Sequence, residues 1–326
     1  MVAIGIVAAI LVSLVAVLIP WLPDSASEQM DRITFTFWFA TVICIGIFAV
    51  VAAVIVYSLI AFRAQPDDDG DGPPIHGHTG LEIAWTAVPA VLVIAIGVVT
   101  AIVLSQNANA GSDPYHIKVY AQQFAWRFEY PDQKNLKSYE LVMPLGRDIT
   151  FEMTAADVIH SFWIPEMGQK QDVLPGVETT IVVTPTKVGS YTLICTELCG
   201  LGHATMRAPV RVLSQADFEA WIAARQGPAA GQVDGKTVFA NSGCGGCHTF
   251  APAGSDGGVG PNLDRVAADA QKAGMPVDEH VRQSIVDPSA TIVGGFQDGV
   301  MPKTFGKSLS PEELDALVSF VSGKTG

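Results

Sequence analysis

Apolar residues crowd into the first third of the chain. Residues 2 to 22 are apolar and uncharged, residues 33 to 62 are apolar up to Arg63, and residues 83 to 104 form a third such run. A bilayer core takes about 20 apolar residues at about 1.5 Å rise each, so every one of these runs can cross it as a helix. Small residues around Ser25, Ala26 and Ser27 follow the first run, as near a signal-peptidase site, although no basic residue precedes it. Residues 1–27 are therefore expected to be a leader, either a signal peptide or an extra helix. The loop at 64–80 carries Asp67, Asp68, Asp69 and Asp71 and almost no Lys or Arg, so the positive-inside rule gives no orientation.

From His116 to about Leu213 the pattern changes to short alternating runs, such as 116–120, 149–153 and 179–184, separated by Pro and Gly turns. Period-2 alternation of this kind predicts an antiparallel sandwich or barrel of roughly 100 residues. Residues 216 to 225 read as one short helix, and the Gly-Pro-Ala-Ala-Gly at 227–231 reads as a flexible joint. Residues 234 to 326 combine short helical patterns with Gly-rich loops, and no internal repeat is visible. A chain of 326 residues accommodates two modest domains plus membrane segments. The net charge of -13, without any Lys or Arg cluster, leaves no footprint for a nucleic-acid partner.

Of the five cysteines, Cys44 stands alone, while Cys195 with Cys199 and Cys244 with Cys247 form close pairs. The densest chemistry is Cys195-Thr-Glu-Leu-Cys199-Gly-Leu-Gly-His203-Ala-Thr-Met206, preceded by His160 on a strand. It offers two thiolates, two imidazoles and a thioether. Thiolate and thioether select soft copper, and a single blue-copper site needs only one Cys, two His and a weak Met. The second thiolate lets the pair bridge two copper ions, leaving one His and one weak ligand for each. A Cys195–Cys199 disulfide and a tetrahedral Cys2His2 zinc site are the competing readings, and the zinc site would leave Met206 unused.

The string Asp157-Val-Ile-His160-Ser-Phe-Trp-Ile-Pro165, followed by the Cys195 to Met206 string, resembles the binuclear copper (CuA) domain of cytochrome c oxidase subunit II. That resemblance implies an all-β cupredoxin fold, a Greek-key sandwich. It also implies two copper ions, with Cys195 and Cys199 bridging, His160 and His203 terminal, Met206 a weak ligand and Glu197 giving its backbone carbonyl. The Glu197 side chain would further reach a non-redox Mg2+ or Mn2+ near the catalytic subunit. The run His76-Gly-His-Thr-Gly-Leu-Glu82-Ile-Ala-Trp85-Thr-Ala-Val-Pro89 is similar to the family's approach to its second transmembrane helix. In that family the two helices form a hairpin with both ends outside the membrane. Glu82 sits at the membrane edge, where a carboxylate is either a solvated charge or, by the resemblance, a proton-uptake group.

Cys244-Gly-Gly-Cys247-His248 is the C-x-x-C-H signature, in which two thiols add to haem vinyl groups and the adjacent His is the proximal ligand. A thioredoxin-like dithiol is the alternative, weakened by the following His and by the absence of a βαβ pattern. The opposite axial ligand is expected at Met301, which precedes Pro302 and a terminal amphipathic stretch, with Met275 as its rival. Met–His ligation raises the haem potential, which suits an electron carrier. The segment resembles an all-α class I cytochrome c, and the two domains together resemble the caa-type haem–copper oxidases.

The expected architecture is a multidomain membrane protein. It comprises a leader (1–27), a transmembrane helical hairpin (28–110), a cupredoxin domain (111–215), a linker (216–233) and a cytochrome c domain (234–326). The resemblance implies the electron-receiving subunit of a terminal oxidase in a bacterial cell membrane, both soluble domains on the outer side. Its partners would be catalytic subunit I, further oxidase subunits and an external donor, either a cytochrome or a quinol-oxidising complex. A nitric oxide reductase subunit and a membrane-tethered copper-delivery protein are the other readings; the second leaves the haem motif unexplained.

His76, His78, His116 and His280 lack further ligands at metal spacing and are expected at surfaces or interfaces. Cys44 is expected as a small buried hydrophobe. Phe124, Trp126, Phe128 and Tyr130 are expected to pack; Phe124 occupies the position where the family has the Trp through which electrons enter. Residues 234–326 carry 7 Lys and Arg against 11 Asp and Glu. The linker, giving effective concentrations on the order of millimolar, is therefore expected to supply proximity in place of electrostatic docking.

Overall fold

A computed structural model describes residues 1–63, 74, 76–226 and 234–323, with the backbone alone at 241 and 308. The chain divides into two units: residues 1–25 with 29–109, and residues 26–28 with everything from Ala110 onward.

The first unit holds α1 (Val2–Leu18), α2 (Glu28–Ala61) and α3 (Thr79–Asn107). Helices α2 and α3, of 34 and 29 residues, are each long and apolar enough to cross a membrane. Val50, Leu59, Val91 and Ile94 are all exposed, a surface suited to lipid or a partner subunit and not to water. Cys44 shares that exposure and is not buried as expected, because α2 has few neighbours within the chain. Arg32 Nη1 donates to Asn107 Oδ1 at 3.3 Å, which ties the start of α2 to the end of α3 as an antiparallel hairpin. At 17 residues, α1 packs on α2 through small side chains, with Ala16, Ala49 and Ala53 buried. Asp67, Asp68, Asp69 and Asp71 lie outside the described residues.

The second unit opens with ten strands: β1 (Tyr115–Gln122), β2 (Ala125–Tyr130), β3 (Leu136–Ser138), β4 (Leu141–Pro144), β5 (Ile149–Ala155), β6 (His160–Trp163), β7 (Lys170–Val173), β8 (Thr179–Val183), β9 (Gly189–Cys195) and β10 (Arg207–Leu213). They form two five-stranded sheets, ordered β3-β2-β1-β5-β8 and β4-β10-β9-β6-β7. Alternation builds the sandwich: every second residue of β1 and β5 is buried, so Ile117, Val119, Phe151 and Met153 fill the space between the sheets. The expected wholly antiparallel pairing is not found, since β1 runs parallel to β5 and β4 parallel to β10. Alternation reports which face a residue takes and is silent on strand direction.

Helix α4 (Gln215–Gln226) follows, as expected, at residues read as the start of a linker. Phe218, Trp221 and Ile222, spaced i, i+3, i+4, are buried in the sandwich core, with Phe218 and Trp221 against Tyr115 and Tyr130. Glu140 receives both Arg211 and Arg225, pinning the helix to β10. Ala26 and Ser27, read as the end of the leader, also pack here: Ala26 N donates to Glu166 O at 2.9 Å and Ser27 bridges Pro185. The joint read at 227–231 lies outside the described residues.

The C-terminal part holds α5 (Gly235–Asn241), β11 (His248–Phe250), β12 (Ser255–Gly258), α6 (Val266–Ala273), α7 (Val277–Val286), α8 (Phe305–Ser308) and α9 (Pro311–Val321). A capping box between Ser310 and Glu313 starts α9. Its Leu317, Val318 and Val321 meet Val238, Phe239, Phe250, Val281 and Ile285 in a second core. The short β11–β12 hairpin is the one non-helical addition among the described residues of this part.

Candidate metal centre and haem pocket

His160 opens β6 and Cys195 closes β9, and these strands pair antiparallel with Phe162 opposite Cys195. The chain leaves the sheet at Cys195 and returns at Arg207, with the neck closed by Cys195 N donating to Met206 O at 3.1 Å. The loop thereby folds its donors over His160. The two sulfurs are 3.8 Å apart, well beyond the roughly 2.05 Å of a disulfide. His160 Nδ1 lies 4.0 Å from Cys195 Sγ, and the Glu197 carbonyl 3.3 Å from it. On the other side, His203 Nδ1 lies 3.6 Å and Met206 Sδ 3.8 Å from Cys199 Sγ. The donors fall into two half-sites sharing a sulfur pair. The donor atoms of His160, Cys195 and Cys199 lie within 4.8 Å of one another, and His203 stands outside that group.

Asp157 Oδ1 sits 2.9 Å from His160 Nε2, so this carboxylate holds the proton on Nε2 and turns Nδ1 toward the sulfurs. Trp126 sets its edge against the same imidazole. Burial works to lower the His160 pKa, but the hydrogen bonds to Asp157 and Cys195 and the negative charge of both partners together outweigh it, leaving the value raised. Burial would likewise raise Cys195, but hydrogen bonds led by His160 bring it down to about 6. Burial, reinforced by the neighbouring Cys195 thiolate, pushes Cys199 up to about 12. In the metal-free pair Cys199 therefore holds its proton more tightly than Cys195. Glu197 points its side chain into solvent.

Cys244 begins a tight turn that places Cys244, Cys247 and His248 on the rim of an apolar cavity walled by Phe239, Ile285, Val293 and Met301. His248 Nδ1 is 2.8 Å from the Pro261 carbonyl. A carbonyl only accepts, so Nδ1 carries the proton and Nε2 keeps its lone pair free. Burial pushes the His248 pKa down, which keeps the ring neutral. Gly260 must be glycine, because a Cβ there would come within 2.5 Å of that ring. Burial pushes the Cys244 thiol up to about 12 and raises Cys247 as well, the opposite of a thioredoxin-like reactive thiolate. Met301 lines the cavity and Met275 does not.

Three family models match. Cytochrome c oxidase subunit II, transmembrane domain, covers residues 13–101, its periplasmic domain covers 137–213, and cytochrome c covers 232–324. The chain is 32% identical to cytochrome c oxidase subunit 2 of Thermostichus vulcanus over 65% of its own length and 80% of the relative's. The chain belongs to the cytochrome c oxidase subunit 2 family. The subunit of the same name from Alkalihalophilus pseudofirmus is 29% identical over 86% of this chain and 84% of that protein. Among solved structures, the periplasmic domain of subunit II of the Bradyrhizobium japonicum cytochrome oxidase is similar at 30% identity. It covers 36% of this chain and 94% of that one, with a TM-score of 0.33. Membership makes the chain a component of a haem–copper oxidase complex with copper- and haem-binding domains.

Within that frame, Trp126, Phe128 and Tyr130 are buried as expected of packing residues. Phe124 packs as well, half-buried against the same core: it lines the cavity while its ring lies against Gly202, where a Cβ would meet it at 2.4 Å. His280, expected at a surface or interface, is 3% exposed and lines the same cavity, with no protein partner on Nδ1. It shares the inward face of α7 with Val281 and Ile285, so helical position overrode its polarity. His116 bonds Glu152 at 2.9 Å across β1 and β5 at a partly exposed position. Glu82 Oε1 accepts from His78 N at 3.2 Å, giving it a helix-capping role at the start of α3.

Proposed function

We propose that the chain receives electrons from an external donor, carries them through a covalently attached haem c to a binuclear copper pair, and delivers them to catalytic subunit I. Dioxygen is reduced in that subunit. The observation that carries this reading is that both donor sets are complete in one chain and meet: Thr205 of the copper loop lies 3.9 Å from Cys247 Sγ of the haem turn.

The donor chemistry fits two copper ions better than one zinc. A single tetrahedral ion needs all four donors around one point, whereas His160 and His203 flank different sulfurs and Met206 adds a soft fifth donor. Cys195 and Cys199 would hold both ions between them, with His160 and His203 at the two ends and Met206 and the Glu197 carbonyl as weak ligands. A thiolate-bridged copper pair supplies a one-electron carrier when bound. Asp157 orients His160, and the buried neck of the loop keeps water from the sulfurs.

The haem pocket fits its group on the same grounds. Cys244 and Cys247 stand at the rim for thioether bonds, neutral His248 keeps Nε2 free, and Met301, from a segment some fifty residues on, lines the same cavity. A Met–His pair favours the ferrous state and so raises the potential. The solvent-facing Glu197 carboxylate is free to share a Mg2+ or Mn2+ with catalytic subunit I. Glu82 is the proton-uptake candidate. The chain sits in a bacterial cell membrane with both soluble domains outside, and its donor is a cytochrome or a quinol-oxidising complex.

Metal and haem analysis of the purified complex tests this reading. Two coppers and one covalent haem per chain are expected in this subunit, with a mixed-valence paramagnetic signal that Cys199→Ser abolishes. Zinc, a single copper or an unchanged signal in Cys199→Ser contradicts it.

A further inference from the structure

We propose that Thr205 is the bridge by which electrons cross from the haem turn into the copper loop, an assignment that rests on the relay reading above. Cys247 Sγ, the atom that carries a haem substituent after attachment, lies 3.9 Å from Thr205 Oγ1. Thr205 is bonded to Met206 and lies two residues from His203, and both of those side chains face Cys199 Sγ. The route from the haem edge to the copper donors therefore has one through-space step, at van der Waals distance, followed by covalent bonds. Tunnelling decays exponentially with the width of such a step, so a filled contact outweighs a longer gap elsewhere.

The contact belongs to a wider seat. An ideal Cβ on Gly246 would lie 3.9 Å from the Thr205 carbonyl, and one on Gly243 would lie 3.8 Å from Ala125 Cβ. Phe124 closes the cavity from the same side, and Tyr139 faces Ser242. The haem turn thus rests on three separate segments of the β domain, at Phe124 and Ala125, at Tyr139 and at Thr205. This corrects the expectation that a linker alone supplies proximity. Charge did not forbid docking, because groups of opposite sign, Arg127 of the β domain and Glu313 of the C-terminal part, both act on Tyr139 at the contact. With haem and copper bound, Cys247 and Thr205 would pass one electron from ferrous haem to the copper pair without any proton or bond change, and the external donor would re-reduce the haem.

Thr205 Oγ1 also donates to Gly202 O at 2.8 Å, so a purely structural role in shaping the loop must be separated from bridging. The intact complex carrying Thr205→Ala, Thr205→Val or Thr205→Ser is given a photochemical pulse of reductant at the haem. Haem reoxidation and copper reduction are then followed optically, with both spectra and both midpoint potentials recorded. Thr205→Ala should slow transfer severalfold at unchanged potentials, because it opens the gap. Thr205→Ser and Thr205→Val should stay near wild type, since Val puts a methyl where the hydroxyl was. Equal slowing in Val and Ala would assign Thr205 to loop shape, and an unslowed Ala variant would overturn the bridge. Absence of haem-to-copper transfer in the wild type would instead sink the relay reading itself. As a readout independent of electron flow, Ala125→Cys with Gly243→Cys in the full chain should cross-link on oxidation, since 3.8 Å is about the mean Cβ separation of a disulfide. Gly243 sits at a φ of +70°, where a side chain is strained, so the double variant is first shown to attach haem and load copper; failure to cross-link in that folded variant would overturn the seated geometry.

Discussion

Replacing Gly260 by Ala should act on the haem through a single added carbon. That carbon would lie 2.5 Å from His248 Cε1 and 2.8 Å from Nδ1, whereas ordinary contact begins at 3.4 Å, so the imidazole must retreat by about 0.9 Å. The hydrogen bond from Nδ1 to the Pro261 carbonyl, 2.8 Å long, does not survive a displacement of that size. A neutral bond of this kind is worth about 0.5–1.5 kcal/mol. Its loss makes the imidazole a less basic ligand, which disfavours ferric iron. If about 1 kcal/mol of that difference falls between the oxidation states, the potential rises by roughly 40 mV, from about 59 mV per tenfold for one electron. A spectroelectrochemical titration of the intact complex measures this, with the haem band shape reporting whether axial ligation persists. Covalently attached haem with unchanged spectrum and unchanged potential would refute the argument that Gly260 and Pro261 together position His248.

Met301→Ala should lower the haem potential and remove the weak iron–sulfur absorption band while Met275→Ala is silent, because only Met301 lines the cavity. The reverse pattern in the same titration would move the ligand to Met275. Copper loading of the metal-free chain should weaken as pH falls, since the Cys199 thiol, pushed up to about 12 by burial, must give up its proton to bind. Competition with a chelator across pH checks this, and a flat profile would refute it. Glu82→Ala should slow turnover while leaving copper reduction unchanged; full turnover would leave Glu82 with its helix-capping bond to His78 alone.

Local spacing made the ligands legible. The twelve-residue string from Cys195 to Met206 folds as one loop, so its donors announced themselves in sequence and needed only His160 from a neighbouring strand. Cys244, Cys247 and His248 are contiguous for the same reason. Strand direction was not legible, because alternation in β1 and β5 is the same for parallel and antiparallel neighbours. The docking of α4 was signalled by Phe218, Trp221 and Ile222 on one helical face, yet their target, Tyr115 and Tyr130, lies about a hundred residues earlier. His280 had no partner at ligand spacing, so nothing marked it as a cavity residue until α7 turned it inward. The seat of the haem turn depends on Ala125, Thr205 and Gly243, small residues with no chemical signature of their own.

The order in which the centres fill with electrons tests the account most directly. The oxidised complex is mixed rapidly, without oxygen, with its reduced external donor, and the haem and copper bands are followed together in the full chain and in a chain lacking residues 234–326. The relay predicts that haem is reduced first, that copper follows at the rate haem is reoxidised, and that the shortened chain keeps a copper centre reducible by small mediators but slow with the native donor. Copper reduced ahead of the haem, or at full rate in the shortened chain, would contradict it.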